Sequence, residues 1–168
     1  QIELAERACA GDWPDAVDVP TGLGKTSAVT VAIYALAKQA AEIRAERRRQ
    51  RTTPMRIIHV VNRRSVIDQT YDNVKHLGSM PDRDGRDLEP AREALEWLAG
   101  PWAKSGVGSP VVVGRVHGES KDLGQWLRPT GATVITMTPH QLVSRLAFRG
   151  LGVSARTRSV HAGLLGVD

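Results

Sequence analysis

Residues 18–27, DVPTGLGKTS, constrain the chain more than any other stretch. Gly22 and Gly24 are followed at once by Lys25 and Thr26, between a short apolar run and a long helical pattern. The glycines permit backbone torsions closed to other residues and let main-chain N–H groups point inward at an anion. The helix expected from about Lys25 brings its positive dipole end to the same place. Lys25 is then set to neutralise β- and γ-phosphates, and the Thr26 hydroxyl to ligate Mg²⁺. The segment therefore reads as a phosphate loop for ATP with Mg²⁺. Thr21, Gly22, Leu23, Gly24, Lys25 and Thr26 are its expected contacts, and Lys25 and Thr26 are the residues expected to act in catalysis.

The rest of the chain must supply a body for this loop. At 168 residues, with 41% hydrophobic and 24% charged, it suits one globular domain and is too short for two of ordinary size. No apolar run nears the ~20 residues of a membrane span, so no membrane partner is expected. The start, QIELAERACAGDW, lacks the basic opening and apolar block of a signal peptide. Cys9 is the single cysteine, which rules out an internal disulfide, suits a reducing cytoplasm, and reads as a small buried residue on a first helix. The five histidines are scattered and form no metal-binding pattern. A net charge of +5 leans toward a polyanionic partner without deciding one.

Short β-like runs alternate with longer helical ones. Ala16–Val19 is a strand candidate. Thr26 to about Arg51 reads as one helix with an apolar stripe at Val29, Ile33, Leu36, Ala40 and Ile43, ending in the run Arg44, Arg47, Arg48, Arg49 and Arg51 before Pro54. Those cations read as a solvated face at a helix C-terminus. Arg56–Asn62 is a strand continuous enough to be buried on both faces. Ser65 suits an N-cap with Asp68 three positions on, opening a helix that stops at Gly78. A polar loop covers 79–88, and Pro90 opens a helix through Leu98. Val111–Val116 and Ala132–Thr138 are strands, and a helix follows Pro139 to near Gly150. Such alternation argues for an α/β domain with a mostly parallel sheet, whose ligands sit beyond the carboxyl ends of the strands.

Two further segments carry chemistry. In IIHVVNRRSVIDQ, a strand delivers Asn62, Arg63 and Arg64 to a helix start, which suits contacts to a nucleic-acid backbone or a plain solvated turn. In TVITMTPHQLVSRL, Thr138 and Pro139 open a helix whose N-terminus could hold phosphate, with Gln141 just inside. Trp97, Trp102 and Trp126 suit packing or a partner surface better than base stacking.

With Val19 where GxxxxGKT has a glycine, the form PTGxGKT resembles the loop of superfamily 2 helicases and translocases. More particularly, residues 18–26, 60–69, 138–154 and 161–168 resemble the helicase part of the CRISPR-associated helicase–nuclease of type I systems, in the branch of subtype I-G (formerly I-U). That resemblance implies a RecA-like P-loop fold in which residues 1–168 form an incomplete N-terminal motor lobe. It implies an ATP-dependent helicase moving on single-stranded DNA, recruited by an RNA-guided surveillance complex and feeding an HD nuclease domain in cis or in trans. Asn62, Arg63, Arg64, Thr138, Pro139 and Gln141 would line the DNA path, and Gln1 would stand where family members read adenine. Gly118 stands singly where the family has a glycine pair. Leu164–Asp168 would lead toward an acidic DEAH-type motif lying a few residues further on. With that motif, a second lobe and the nuclease outside it, this stretch alone is expected to bind ATP feebly and to show no DNA-stimulated hydrolysis. Two alternatives stand beside this: the motor lobe of a restriction- or repair-type DNA translocase, and a non-catalytic nucleotide-binding docking module.

Overall fold

A computed structural model describes residues 1–18, 24–79, 88–100, 109–117, 131–150 and 153–166. In chain order the elements are α1 (Ile2–Ala10), α2 (Ser27–Arg44), β1 (Arg56–Val60), α3 (Arg64–Ser79), α4 (Glu89–Ala99), β2 (Val111–Val116), β3 (Ala132–Met137), α5 (Pro139–Leu146) and α6 (Arg158–Gly166). The three strands form one parallel sheet in the order β1-β3-β2. Among the described residues, no helix is long and apolar enough to cross a membrane.

Alternation along the strands sorts side chains onto two faces, as a period of two requires. The registered row Ile57, Val134 and Val113 faces one cluster, which α2, α3 and α4 complete with Ile33, Leu36, Val74 and Leu95. The row Val60, Met137 and Val116 faces the other, where Leu142 of α5 and Leu165 of α6 close the layer. Helices cover both faces, so the domain is a mixed α/β fold, consistent with the RecA-like lobe the resemblance implies. Central β3 is buried along its whole length, whereas β1 is only half-buried because it pairs on one side among the described residues. That differs from the sequence expectation of a doubly buried β1.

Three boundaries also differ. Residues 16–18 join no strand among the described residues, and Val19 lies outside them. The second helix stops at Arg44, well short of Arg51. There Glu46 turns left-handed at φ 57, while Glu46 N donates to Ile43 O and Arg47 N to Glu42 O, so a hydrogen-bonded stop ends α2 before the arginine run. Released from the helix, Arg48 reaches back, and its Nη1 donates to the Cys9 carbonyl at 3.0 Å. At the next helix, Arg63 O accepts from Val66 N and Ile67 N, so Arg63 takes the cap position and Ser65 falls inside the first turn of α3.

Gln39, completely buried in α2, ties three segments together. Its Nε2 donates to Ala8 O, Cys9 O and the Thr52 hydroxyl, and its Oε1 accepts from Thr52 N and Thr53 N, both at 2.9 Å. The end of α1 and the lead into β1 are thus fixed to the middle of α2. α1 itself ends at Gly11, whose φ of 92 makes the left-handed cap and whose missing Cβ leaves room for the Thr52 hydroxyl. The sequence pattern predicts no sixth helix. The resemblance has Leu164–Asp168 leading toward an acidic motif further on, and His161, Ala162 and Leu165 turn one helical face inward at α6.

Candidate nucleotide and nucleic-acid site

The phosphate segment is described from Gly24 onward. Thr21, Gly22 and Leu23 lie outside the described residues. Gly24 has φ 83, and a Cβ there would run into the Gln1 amide and press on Ser27 Oγ at 3.0 Å. Only glycine suits both the torsion and the space. The first turn of α2 tightens through bonds of the i+3 type, from Ser27 N to Gly24 O at 2.8 Å and from Ala28 N to Lys25 O at 3.2 Å. The N–H groups of Gly24, Lys25 and Thr26 stand ahead of these bonds, at the end of the helix that attracts anions. Lys25 is exposed. Thr26 occupies the cap with helical torsions (φ −65, ψ −22), and its hydroxyl makes no capping bond, which leaves it for another ligand.

Beside this turn is a cavity of about 170 Å³ lined by Gln1, Leu4, Val17, Gly24, Lys25, Ser27, Ala28 and Val31. Gln1 reaches into it from the start of α1, its Nε2 within 3.4 Å of Ser27 Oγ. Gln1 and Lys25, far apart in any local reading of the N-terminus, therefore share one cleft. A polyphosphate with a divalent cation fits this donor set: N–H groups at a helix start, a lysine ammonium and an uncommitted hydroxyl.

The second group of expected residues gathers at the strand exits. Val61 N donates to Met137 O at 3.0 Å, so Asn62, Arg63 and Arg64 leave β1 beside the place where Thr138 leaves β3. Asn62, Arg63, Arg64 and Pro139 are exposed and Thr138 is half-buried. Thr138 moves from the expected strand end to the cap of α5, where its Oγ1 accepts from Gln141 N at 3.4 Å and Pro139 opens the helix. Gln141 differs from its expected place on a DNA path. It is buried, and its side-chain oxygen accepts from Arg145, which is itself 1% exposed and whose Nη1 also reaches Gln141 O. Burial holds the Arg145 guanidinium below its ordinary pKa.

A third group has no counterpart among the sequence motifs. Asp68 Oδ1 accepts from Arg115 Nη1 at 3.0 Å and lies 2.9 Å from His117 Nε2, joining α3 to the end of β2. The Arg115 guanidinium stacks over Tyr71 at 4.7 Å. The hydrogen bond with His117 is the main reason Asp68 sits below the usual carboxylate range, and Arg115 adds to it. By spacing alone, Asp68 reads as a helix-cap partner. The usable signal is Arg115, a cation on the strand face that α3 covers, which calls for an acid on that helix. Gly118, Trp102 and Trp126 lie outside the described residues, while Trp97 is exposed on α4.

With this geometry in view, comparison with known families decides the class. The family described as "Type III restriction enzyme, res subunit" matches residues 5–106, well over half of the chain. The chain belongs to that family. It is a helicase-like ATP-binding motor domain of superfamily 2. No curated protein and no solved structure matches this res-subunit domain at the significance required.

Proposed function

We propose that this res-subunit domain is the ATP-binding lobe of a translocase that moves on single-stranded DNA. Lys25 and Thr26 meet the phosphates and Mg²⁺, Gln1 faces the base, and Asn62, Arg63, Arg64, Thr138 and Pro139 face the strand. The observation that carries the reading is the turn at Gly24–Thr26, with a Cβ-free approach, an exposed lysine and a threonine hydroxyl unused by the helix it caps. Bound ATP supplies the scissile phosphoanhydride, and this chain's part is to hold and neutralise the phosphates. The adjacent exits of β1 and β3 support a shared backbone contact, because phosphate is met by arginines and by helix N-termini.

In its finer form, the proposal is the motor of a CRISPR interference helicase–nuclease, acting with an RNA-guided complex and an HD nuclease. Its support is the likeness at 138–154 and 161–168, which lies beyond the family match. A restriction-type DNA translocase is the second reading, and the family match itself favours it. The test is Mg²⁺-ATP binding and DNA-stimulated hydrolysis in the intact protein that carries this domain. Lys25→Ala should abolish nucleotide turnover while the circular dichroism spectrum stays the same. Undiminished turnover in that variant would sink the nucleotide assignment. Cleavage of a target opened by a guide-RNA complex, set against cleavage of DNA bearing an unmodified recognition sequence, separates the two finer readings.

A further inference from the structure

From Leu123 to Val167 the sequence holds no carboxylate, and across that span lie Arg128, Arg145, Arg149, Arg156 and Arg158. Arg149, Arg156 and Arg158 are exposed around α5 and α6, and none makes an ion pair among the described residues. Into this carboxylate-free stretch the fold sets an aromatic ring at a cost in backbone strain. Helix α5 ends with Phe148 N donating to Arg145 O at 3.0 Å and Arg149 N to Ser144 O at 2.8 Å, the double bond that usually closes on glycine. Here the left-handed residue is Phe148, at φ 57, the only phenylalanine in the chain. A bulky side chain is rarely found in that region. Burial does not offset the strain, because Phe148 is 58% exposed, as are Val143 at 63% and Leu146 at 46% on the same helix and its end. Strained residues of this kind gather at binding sites.

An exposed ring among unpaired arginines is the chemistry that receives bases and phosphates together. We propose that the α5–α6 face binds single-stranded nucleic acid, with Phe148 stacking on a base and Arg149, Arg156 and Arg158 neutralising the backbone. The inference rests on the nucleic-acid reading above and lengthens its path: Thr138 opens α5, and Phe148 stands about 15 Å further along at the helical rise. An acidic protein segment would satisfy the arginines but offers no ring face to Phe148.

The test is fluorescence anisotropy of a labelled oligothymidylate titrated with the 168-residue chain. Phe148→Gly supplies the residue that the turn itself favours, so it should melt at or above the wild-type temperature. It should nevertheless bind the oligonucleotide roughly 5- to 100-fold more weakly, and Phe148→Trp should restore binding. Replacing Arg149, Arg156 and Arg158 with alanine should lower the salt slope by about 2 units. Wild-type affinity in Phe148→Gly, or weakened binding that Phe148→Trp fails to restore, overturns the proposal. If Arg63→Ala weakens binding while Phe148→Gly does not, this inference alone falls. If the wild-type chain binds no oligothymidylate, the nucleic-acid reading falls with it. A loss of polyglutamate binding in Phe148→Gly with DNA binding intact would replace the nucleic acid with an acidic protein partner.

Discussion

Gln39 shows how much one polar side chain can organise when it is buried with all its valences met. Removing its amide as Gln39→Met leaves the carbonyls of Ala8 and Cys9 and the N–H groups of Thr52 and Thr53 without that partner. The Ala8 and Cys9 carbonyls keep Gly11 N and Arg48 Nη1 as donors, so the cost falls on the two N–H groups, at ~1–3 kcal/mol each, and the variant should lose about 2 kcal/mol or more in urea unfolding. A loss below about 1 kcal/mol would show that other groups or water replace the amide. Glu46 is a contrary case, a residue whose replacement should help. At φ 57 it carries the left-handed penalty of ~1 kcal/mol, which Glu46→Gly should return as added stability. If melting shows Glu46→Gly to be neutral or destabilised, the extra freedom of the unfolded glycine chain outweighs the relief. Neither role is legible in the sequence. Gln39 sits on a helix whose neighbours are apolar on nearly every side, and nothing local marks the turn at Glu46. Gly24 is the opposite: the spacing of the phosphate loop is enough by itself to demand glycine there.

Among the elements, α5 and α6 pack together and bury two groups that resist charge or carry it awkwardly. His161 is held below its usual pKa first by burial and then by the Arg145 guanidinium, and burial alone does the same to His59. A base whose pKa falls on folding is neutral in the folded state while the unfolded chain takes up a proton near pH 6.5. Stability should therefore be full above that value and decline as pH falls through it. Melting temperatures at pH 7.5 and 5.5 should differ in the wild type and differ less in His161→Leu. An identical difference in both would show that His161 plays no part. The strands are legible because runs such as VVVGRV are bounded by turn residues; β2 falls at its expected limits. Helix α6 is not, because HAGLLG is small, apolar and equally compatible with a buried strand. Only its packing against α5 and the sheet decides between them. The candidate nucleotide site is legible in its residue types. The approach of Gln1 is suggested only by resemblance, since a contact between a chain's first residue and a later loop leaves no local trace.

At the level of the whole molecule, the layered arrangement is legible because strand and helix signals alternate, and parallel strands demand helical crossovers. The strand order is not, since no local pattern states which strand lies in the middle. That order governs when the sheet can exist at all. Among the described residues β1 and β2 do not pair with each other, and each pairs with β3, the last of the three to leave a ribosome. Until residue 137 has emerged, two hydrophobic strands wait with open edges while α1 and α2 can already pack. Long-range pairing of this kind folds slowly and exposes sticky edges on the way. A chain stopped at residue 130 should keep hydrogen-exchange protection in α1 and α2 but show none at the amides of residues 57–60. Protection there would mean that β1 has found another partner. During synthesis the chain is thus most prone to aggregation in the interval between β2 and β3, a hazard set by where its central strand falls in time.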